Sequence, residues 1–597
     1  MSLVQAAGGL AHAPAGAVIA APMRDLTSVL VAALAAGALV LRAPAARWTA
    51  VIAALLIAPL LLAGTVLDDD RATRLFDHPV LLLAGGVAGL VGVLVAAAVL
   101  VRWPQALPPL LAVAIPLRLP LSIGGESVNL LLPLYGLIGA GALGAAIRAR
   151  RVGRDKADSW DLRSGPPPAA VVREAFTART LSGAAALVPI LLAASVLLYG
   201  LRVPFSEDPD RGVQTLCFFL VPFTVLYVVL REIEWTTAVL RRVGGALVLL
   251  ALVAAALGGY EYATGQVLWN QKIIDANSLS STVRVNSLFF DPNIYGRFLM
   301  VVLLGLLAAL SWGARGARAV GLAVLFLLLW AGLLVSFSQS SMLGLIVGAI
   351  VLLGVRFGSG KAALAAGTVG LVALIALVAL AGTLRINVSS SEGLNVSSAG
   401  RVDLVKGGLE LYGDRPVFGW GSGSYRRAYR EQTGTSEVRA VAASHTIPIT
   451  VAAEEGTVGL LIYLGLLVAS IVALLRGARN SAAAAAVAAA YLAMVLHSWF
   501  YAAFLEDPLT WALLAVGVSL GAGGIRERRA VGGSDPGDGS TTVVETPAGH
   551  TPHDVVGEPV YVGVGEGDGP GRFVGESGAL PGTPAEHRGA APPPEGK

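Results

Sequence analysis

The chain has 597 residues, of which 55% are hydrophobic and only 14% charged, with a mean hydropathy of +0.72. Soluble globular proteins carry about 25% charged residues, so most of this chain is shielded from water, and its repeated apolar runs of roughly 20 residues, each able to cross a ~30 Å hydrocarbon core, read as a many-pass membrane protein. A soluble enzyme fold, a disordered scaffold and a one-helix receptor are excluded, a net charge of +4 over this length does not point to nucleic acid, and the lone Cys217 cannot form an internal disulfide.

In lipid each backbone group must be satisfied within its own segment, so the apolar runs are helices. The first 25 residues form an Ala/Gly-rich N-terminal segment. Spans are predicted at 26–41, 48–67, 79–101, 105–122, 128–147, 181–201, 213–230 and 242–258, the N-terminal transmembrane helices of 26–258. A second part, 259–523, carries spans at 294–311, 317–336, 339–356, 362–383, 447–474, 481–498 and 504–523. Pro108, Pro109, Pro116 and Pro120 make 105–122 the candidate for a broken or re-entrant element. Beyond Gly524 the composition turns to Gly, Pro, Asp, Glu and Thr, which buries too little to offset ordering entropy, so 524–597 reads as a disordered tail.

Orientation follows from Arg and Lys in short loops, which stay cytoplasmic. The loop with Arg148, Arg150, Arg151, Arg154, Lys156 and Arg163 is therefore inside, as are those with Arg42 and Arg47, with Arg231, Arg241 and Arg242, with Arg315 and Arg318, and with Arg476 and Arg479. The acidic connectors at Asp68–Asp70 and Glu207–Asp210 then face outward, with the N-terminus, the connector 259–293 and the largest loop, 384–446; the tail is cytoplasmic.

Polar residues kept near a bilayer cost free energy and mark function, and most of them gather on the external side. Arg284 precedes Asp291-Pro292-Asn293 and Arg297 at the start of 294–311; the Asp-Pro pair reads as a helix cap, whereas Arg284 lies close to a helix N-terminus, which favours a phosphate. In the large loop, Val402, Val405, Leu409 and Tyr412 recur at helical spacing, and Arg401 at the start of that helix opposes the macrodipole unless an anion accompanies it. The Gly413–Gly423 stretch, with Arg415, is a glycine-rich turn that brings the backbone close to a neighbour; Arg426, Arg427, Arg430 and Arg439 follow as a solvated basic face. Ser444-His445-Thr446 then opens 447–474, with Glu454 and Glu455 further in, and histidine is the side chain suited to take a proton near neutral pH. Ser336–Ser341, including Ser338, joins two spans outside; His497, Glu506 and Asp507 bracket the last external turn.

Taken together these residues resemble the O-antigen ligase and polymerase superfamily of bacterial cell-envelope glycosyltransferases, over about 280–520. Four pieces carry the resemblance, in order: Arg284 with Phe290-Asp291-Pro292-Asn293; the Ser-rich turn; Gly400-Arg401 with Asp414-Arg415-Pro416-Val417-Phe418-Gly419-Trp420-Gly421; and Ser444-His445 with Glu454-Glu455-Gly456-Thr457-Val458-Gly459. The resemblance implies an all-α polytopic GT-C-like bundle of about 12–15 transmembrane helices in the plasma (inner) membrane of a bacterium, with its site at the external face. It implies metal-independent, cofactor-free transfer of a glycan from an undecaprenyl-pyrophosphate carrier to a hydroxyl of a glycan, lipid or protein acceptor. Arg284 and Arg401 match the arginines that hold the pyrophosphate, His445 matches the histidine that activates the acceptor, and Asp291, Asn293, Arg297, Ser338, Glu454 and Arg415 are expected around the substrate. Many relatives have Ser-Arg-Gly in the Ser-rich turn, where this chain has Gln339-Ser340-Ser341-Met342; that anion contact is either missing here or supplied by Arg118 or Arg297. A polymerase extending a lipid-linked glycan shares these motifs, and a lipid-linked glycan flippase is the reading from outside the enzyme class.

Overall fold

The computed structural model describes residues 15–66, 79–116, 119–123, 126–158, 183–268, 271–278, 283–289, 291–358, 401–434, 446–501 and 503–523. Among them lie α1 (Ala15–Val40), α2 (Pro44–Val66), α3 (Pro79–Arg102), α4 (Leu107–Ala114), a hairpin of β1 (Leu119–Ile123) and β2 (Glu126–Leu130), α5 (Leu132–Asp158), α6 (Ala184–Arg202) and α7 (Pro209–Arg231). There follow α8 (Thr237–Thr264), α9 (Gln271–Ser278), α10 (Pro292–Ser311), α11 (Gly316–Val335), α12 (Gln339–Phe357), α13 (Arg401–Asp414), α14 (Tyr425–Thr433), α15 (Ile447–Ala478), α16 (Ala482–Ser498) and α17 (Pro508–Gly523). Among the described residues eleven helices are long and apolar enough to cross a membrane, and α16 and α17 are shorter apolar helices. The chain is therefore an all-α polytopic membrane protein, with one small hairpin between α4 and α5.

At 105–122, where the prolines point to a broken or re-entrant element, the helical part is the eight residues of α4, and Leu119–Ile123 is a strand; Pro116 and Pro120 lack the N–H that a continuous helix would use. The broken segment nevertheless crosses the bundle. Val93 of α3 faces Gly136 and Gly139 of α5, Ala97 and Leu100 face Gly144, and Arg148 donates to the Leu100 carbonyl at 2.8 Å, so α3 and α5 run parallel and the chain between them returns. The N-terminal segment also differs, since α1 starts at Ala15. The predicted span at 362–383 and the tail from 524 fall outside the described residues.

Basic loops collect at one end of the bundle, as the loop charges predict. There Arg47 pairs with Glu232 at 2.6 Å, Arg231 donates to Ser519 at 3.0 Å and Arg356 to the Ser311 carbonyl at 3.0 Å. At the other end three helices begin with the same device. Asp208-Pro209, Asp291-Pro292 and Asp507-Pro508 open α7, α10 and α17, the carboxylates accepting from the N–H of Arg211, Asn293 and Leu509 respectively. Asp supplies the cap acceptor, and proline occupies a position whose N–H would have no partner.

Small residues let the helices close. Gly344 and Gly348 on α12 leave no room for a Cβ against Met300 and Leu304 of α10, and both also pack against the α16 backbone at Ala493 and Ala489. This is the four-residue glycine spacing by which membrane helices gain dispersion contact in the absence of a hydrophobic drive.

Candidate functional site

The end of the bundle where the three Asp-Pro caps lie also gathers the four motif pieces. The first is a loop held by a carboxylate. Glu261, fully buried near the end of α8, accepts the N–H groups of Leu268, Asn286 and Ser287 at 3.0, 3.0 and 2.7 Å. Ser287 adopts a positive φ of 53°, and its hydroxyl donates to the Ala254 carbonyl. Asn277 exchanges hydrogen bonds with the backbone N–H and carbonyl of Arg284. Arg284 is thus fixed by its main chain on both sides, while its Nε is buried without a hydrogen bond. Glu261 escaped the sequence reading, although an acid inside an apolar helix is a signal.

The second piece joins the first. Ser338 donates to Asn293 at 3.0 Å and shares a hydrogen bond with Ser341 at 2.8 Å, and Gly296 brings α10 against Ser336, Ser338 and Ser341. Asp291 caps α10. Arg297 is not free for a ligand: its guanidinium pairs with Asp507, both side chains are 2% exposed, and it lies over the Tyr501 ring at 5.7 Å. Of the alternatives for the missing cation, Arg297 is therefore removed, because a buried arginine needs a fixed carboxylate and Asp507, at the start of α17, provides one. Arg118 lies outside the described residues.

Pieces three and four form one knot. Gly456, at φ 66° and ψ −161°, breaks α15. The carbonyls of Ala453 and Glu454 accept from Trp420 and Gly421 at 2.9 and 2.8 Å, and the N–H of Thr457 donates to the Pro416 carbonyl at 2.7 Å. Backbone groups released by the unwound turn are thus satisfied by the glycine-rich loop, as a membrane segment requires. The glycines are required by contact: a Cβ on Gly419 would lie 2.4 Å from the Glu454 carbonyl carbon, and one on Gly421 2.3 Å from the Ser206 Cα. The neighbour sought by the glycine-rich turn is this broken helix. The Glu454 carboxylate accepts the N–H groups of Gly423 and Tyr425 at 3.0 and 3.1 Å and so caps α14. Arg415 pairs with Glu207 at 3.1 Å, half exposed, and stacks over Trp420 at 3.8 Å.

α13 begins at Arg401, as expected, and the face it buries within the protein is set by other residues than the Val402, Val405, Leu409 and Tyr412 stripe. Leu404, Gly407, Gly408 and Leu411 are buried, while Leu409 is 50% exposed. The two glycines admit the Tyr429 ring and the Tyr425 and Ile449 side chains, which hydrophobic spacing alone does not reveal. The Tyr425 hydroxyl donates to the Leu404 carbonyl, and its burial holds its pKa well above the ordinary phenol value. The Arg401 side chain and all of His445 lie outside the described residues. Thr446, the next residue, donates to the Trp499 carbonyl at 3.1 Å, which places the start of α15 at the α16–α17 turn. That turn carries Asp507, the partner of Arg297, and so ties the knot to the Arg284 side of the bundle. His497 is buried there, its ring 5.6 Å from that of Tyr501. Glu506, next to Asp507 in the chain, has its pKa raised by burial, partly offset by Arg211.

Residues 323–464 match the family model described as Wzy_C, O-antigen ligase, a stretch that runs from α11 through the Ser-rich turn, α13, the knot and the first half of α15. No curated protein matches the chain.

Proposed function

We propose that this chain, whose residues 323–464 match the O-antigen ligase family model, transfers a glycan from a polyprenyl-pyrophosphate carrier to a hydroxyl of an acceptor. The observation that carries this reading is the convergence of four separated motif pieces at one end of the bundle, joined by Ser338–Asn293, by the loop seated on the broken turn of α15, and by Arg297–Asp507. That end is the external one by loop charge. A transporter calls instead for polar groups along a path through the bilayer.

The chemistry needs few parts. The acceptor oxygen attacks the anomeric carbon, the bond to the carrier phosphate breaks, and the pyrophosphate leaves with the electron pair. Arg284 and Arg401 are proposed to hold that pyrophosphate, since guanidinium forks stabilise negative charge as it develops. His445 is proposed to take the acceptor proton. Asp291, Asn293, Ser338 and Glu454 are assigned to shaping: they cap or join helices, so their loss displaces the arginines and the histidine. Arg415, half exposed, is assigned to the substrate entrance. The α13–α14 cover excludes water, which would otherwise hydrolyse the donor.

The test is purified protein in detergent with a polyprenyl-pyrophosphate-linked glycan and a hydroxyl acceptor. Glycan on the acceptor supports a ligase, longer glycan on the lipid identifies a polymerase, and unconsumed donor overturns the enzymatic reading. Arg284→Ala, Arg401→Ala and His445→Ala are each expected to abolish transfer in a protein that still inserts; full activity of His445→Ala removes it as general base.

A further inference from the structure

Arg426 and Arg430 belong by spacing to a solvated basic face, and Arg430 is exposed, but Arg426 is half-buried and its tertiary contacts make a different case. The starts of α7 and α14 touch: a Cβ on Gly423 would lie 2.7 Å from the Gly212 N and 3.0 Å from the Arg211 carbonyl carbon, and the Ser206 hydroxyl donates to the Ser422 carbonyl at 2.9 Å. This contact brings Arg211, in the first turn of α7, beside Arg426, in the first turn of α14. Arg430 follows Arg426 by four residues, on the same helix face. Arg426 is half-buried, and its pKa is lowered by burial and then by the charges of Arg211 and Arg430, with Asp208 the acid that opposes the shift. Of the other neighbouring acids among the described residues, Glu506 also faces Arg211, and the rest are committed. Glu207 pairs with Arg415, Asp210 with Arg24, Glu431 with Arg427, and the Glu454 carboxylate holds two backbone N–H groups. Asp208 itself caps α7.

Half-buried Arg426 is thus flanked by the exposed Arg211 and Arg430 with Asp208 as its acid neighbour, and Arg426 and Arg211 each sit in a first helical turn whose macrodipole also repels a cation, which costs free energy in the empty protein. Among the described residues Arg426 makes no hydrogen bond that would repay its burial. An anion placed between the three would relieve both costs, because guanidinium forks match the oxygens of carboxylate and phosphate.

We propose that Arg211, Arg426 and Arg430 form a second anion subsite that binds an acidic group, a carboxylate or phosphate, on the saccharide being transferred or extended, separate from the donor's pyrophosphate. The subsite rests on the glycan-transfer reading for its occupant. It lies on the α7 side of the knot, whereas the Arg284 loop is held from α8. By its position it would select for acidic glycans and register them along the α13–α14 cover.

The experiment uses full-length protein in detergent and three soluble probes: an oligouronate, a neutral glucan oligosaccharide of equal length, and inorganic pyrophosphate. The Arg426→Gln/Arg430→Gln double variant is expected to weaken oligouronate binding at least tenfold, about 1.4 kcal/mol, and to leave the neutral probe unaffected. Arg427→Gln, on the same helix but paired with Glu431, is expected to change oligouronate binding less than twofold; an equal loss there returns the cluster to a solvated basic face and overturns the proposal. Unchanged oligouronate affinity in the double variant also overturns it, as does a loss confined to pyrophosphate, which would assign the arginines to the donor. Arg426→Lys/Arg430→Lys, which keeps the charge, controls for folding and is expected to retain most of the binding. Transfer with Arg284→Ala is scored separately, so failure of the subsite and failure of the glycan-transfer reading are distinguishable.

Discussion

Removing the Asp507 carboxylate tests whether Arg297 is a scaffold or a ligand for substrate. In Asp507→Ala the Arg297 guanidinium, 2% exposed, loses its ion partner and is left buried beside the Tyr501 ring. Breaking one side of a buried pair costs about 3–5 kcal/mol. The same carboxylate accepts the Leu509 N–H at the start of α17, and losing such a cap adds about 1 kcal/mol. The expected loss is therefore of the order of 4–6 kcal/mol, close to the whole stability of many domains. The assay is thermal unfolding in detergent, read beside glycan transfer, for three proteins: Asp507→Ala, Asp507→Asn and Arg297→Leu/Asp507→Leu. The Asn variant keeps the cap acceptor and should fall between wild type and Ala. The double variant removes both charges and should recover most of the stability, because two apolar side chains avoid the desolvation cost. If Arg297 only positions α10 against α17, transfer returns with stability. A double variant that is stable and inactive, or an Asp507→Ala protein that unfolds at the wild-type temperature, refutes the reasoning.

Other consequences follow from the same contacts. Gly419→Ala, at φ 65° with a Cβ 2.4 Å from the Glu454 carbonyl carbon, should detach the loop from α15, measured as faster proteolysis within 413–434 and loss of transfer. Arg415→Ala breaks a half-exposed ion pair of the kind worth about 0–1 kcal/mol, so the unfolding temperature should barely move, and a marked rise in the donor KM would place Arg415 on the substrate. Glu454→Ala removes the acceptor for Gly423 and Tyr425 and should loosen α14, whereas Glu454→Gln keeps one acceptor oxygen and should retain more activity; equal behaviour of the two contradicts the capping role. Burial raises the Glu506 pKa above the ordinary carboxylate value, so the folded protein binds this proton more tightly than the unfolded chain. Its contribution is then present below the ordinary value and lost as pH rises through the raised one; Glu506→Gln should flatten that part of the unfolding-temperature profile.

Membrane class, most helix positions and the gathering of basic loops at one end were legible in the sequence, because hydropathy and loop charge are summed over many residues and survive local error. The Asp-Pro helix starts were legible too, since capping needs only adjacent residues; Asp291 was read, and Asp208 and Asp507 carried the same signal. The broken segment at 105–122 was marked by its prolines, whereas its passage across the bundle emerges only from α3 and α5 running parallel. The face that α13 buries within the protein was not legible because hydrophobic spacing counts side chains, and here two glycines make the contact by having none. For the site, sequence supplied candidate residues, and the tertiary structure sorted them: Arg297 went to Asp507, Glu454 to the start of α14, and Glu261, Arg211 and Arg426 entered from outside the motifs. A lone sequence shows that a charge is present near the bilayer; whether that charge is already neutralised depends on residues hundreds of positions away, and folding alone decides which of them lies within hydrogen-bonding distance.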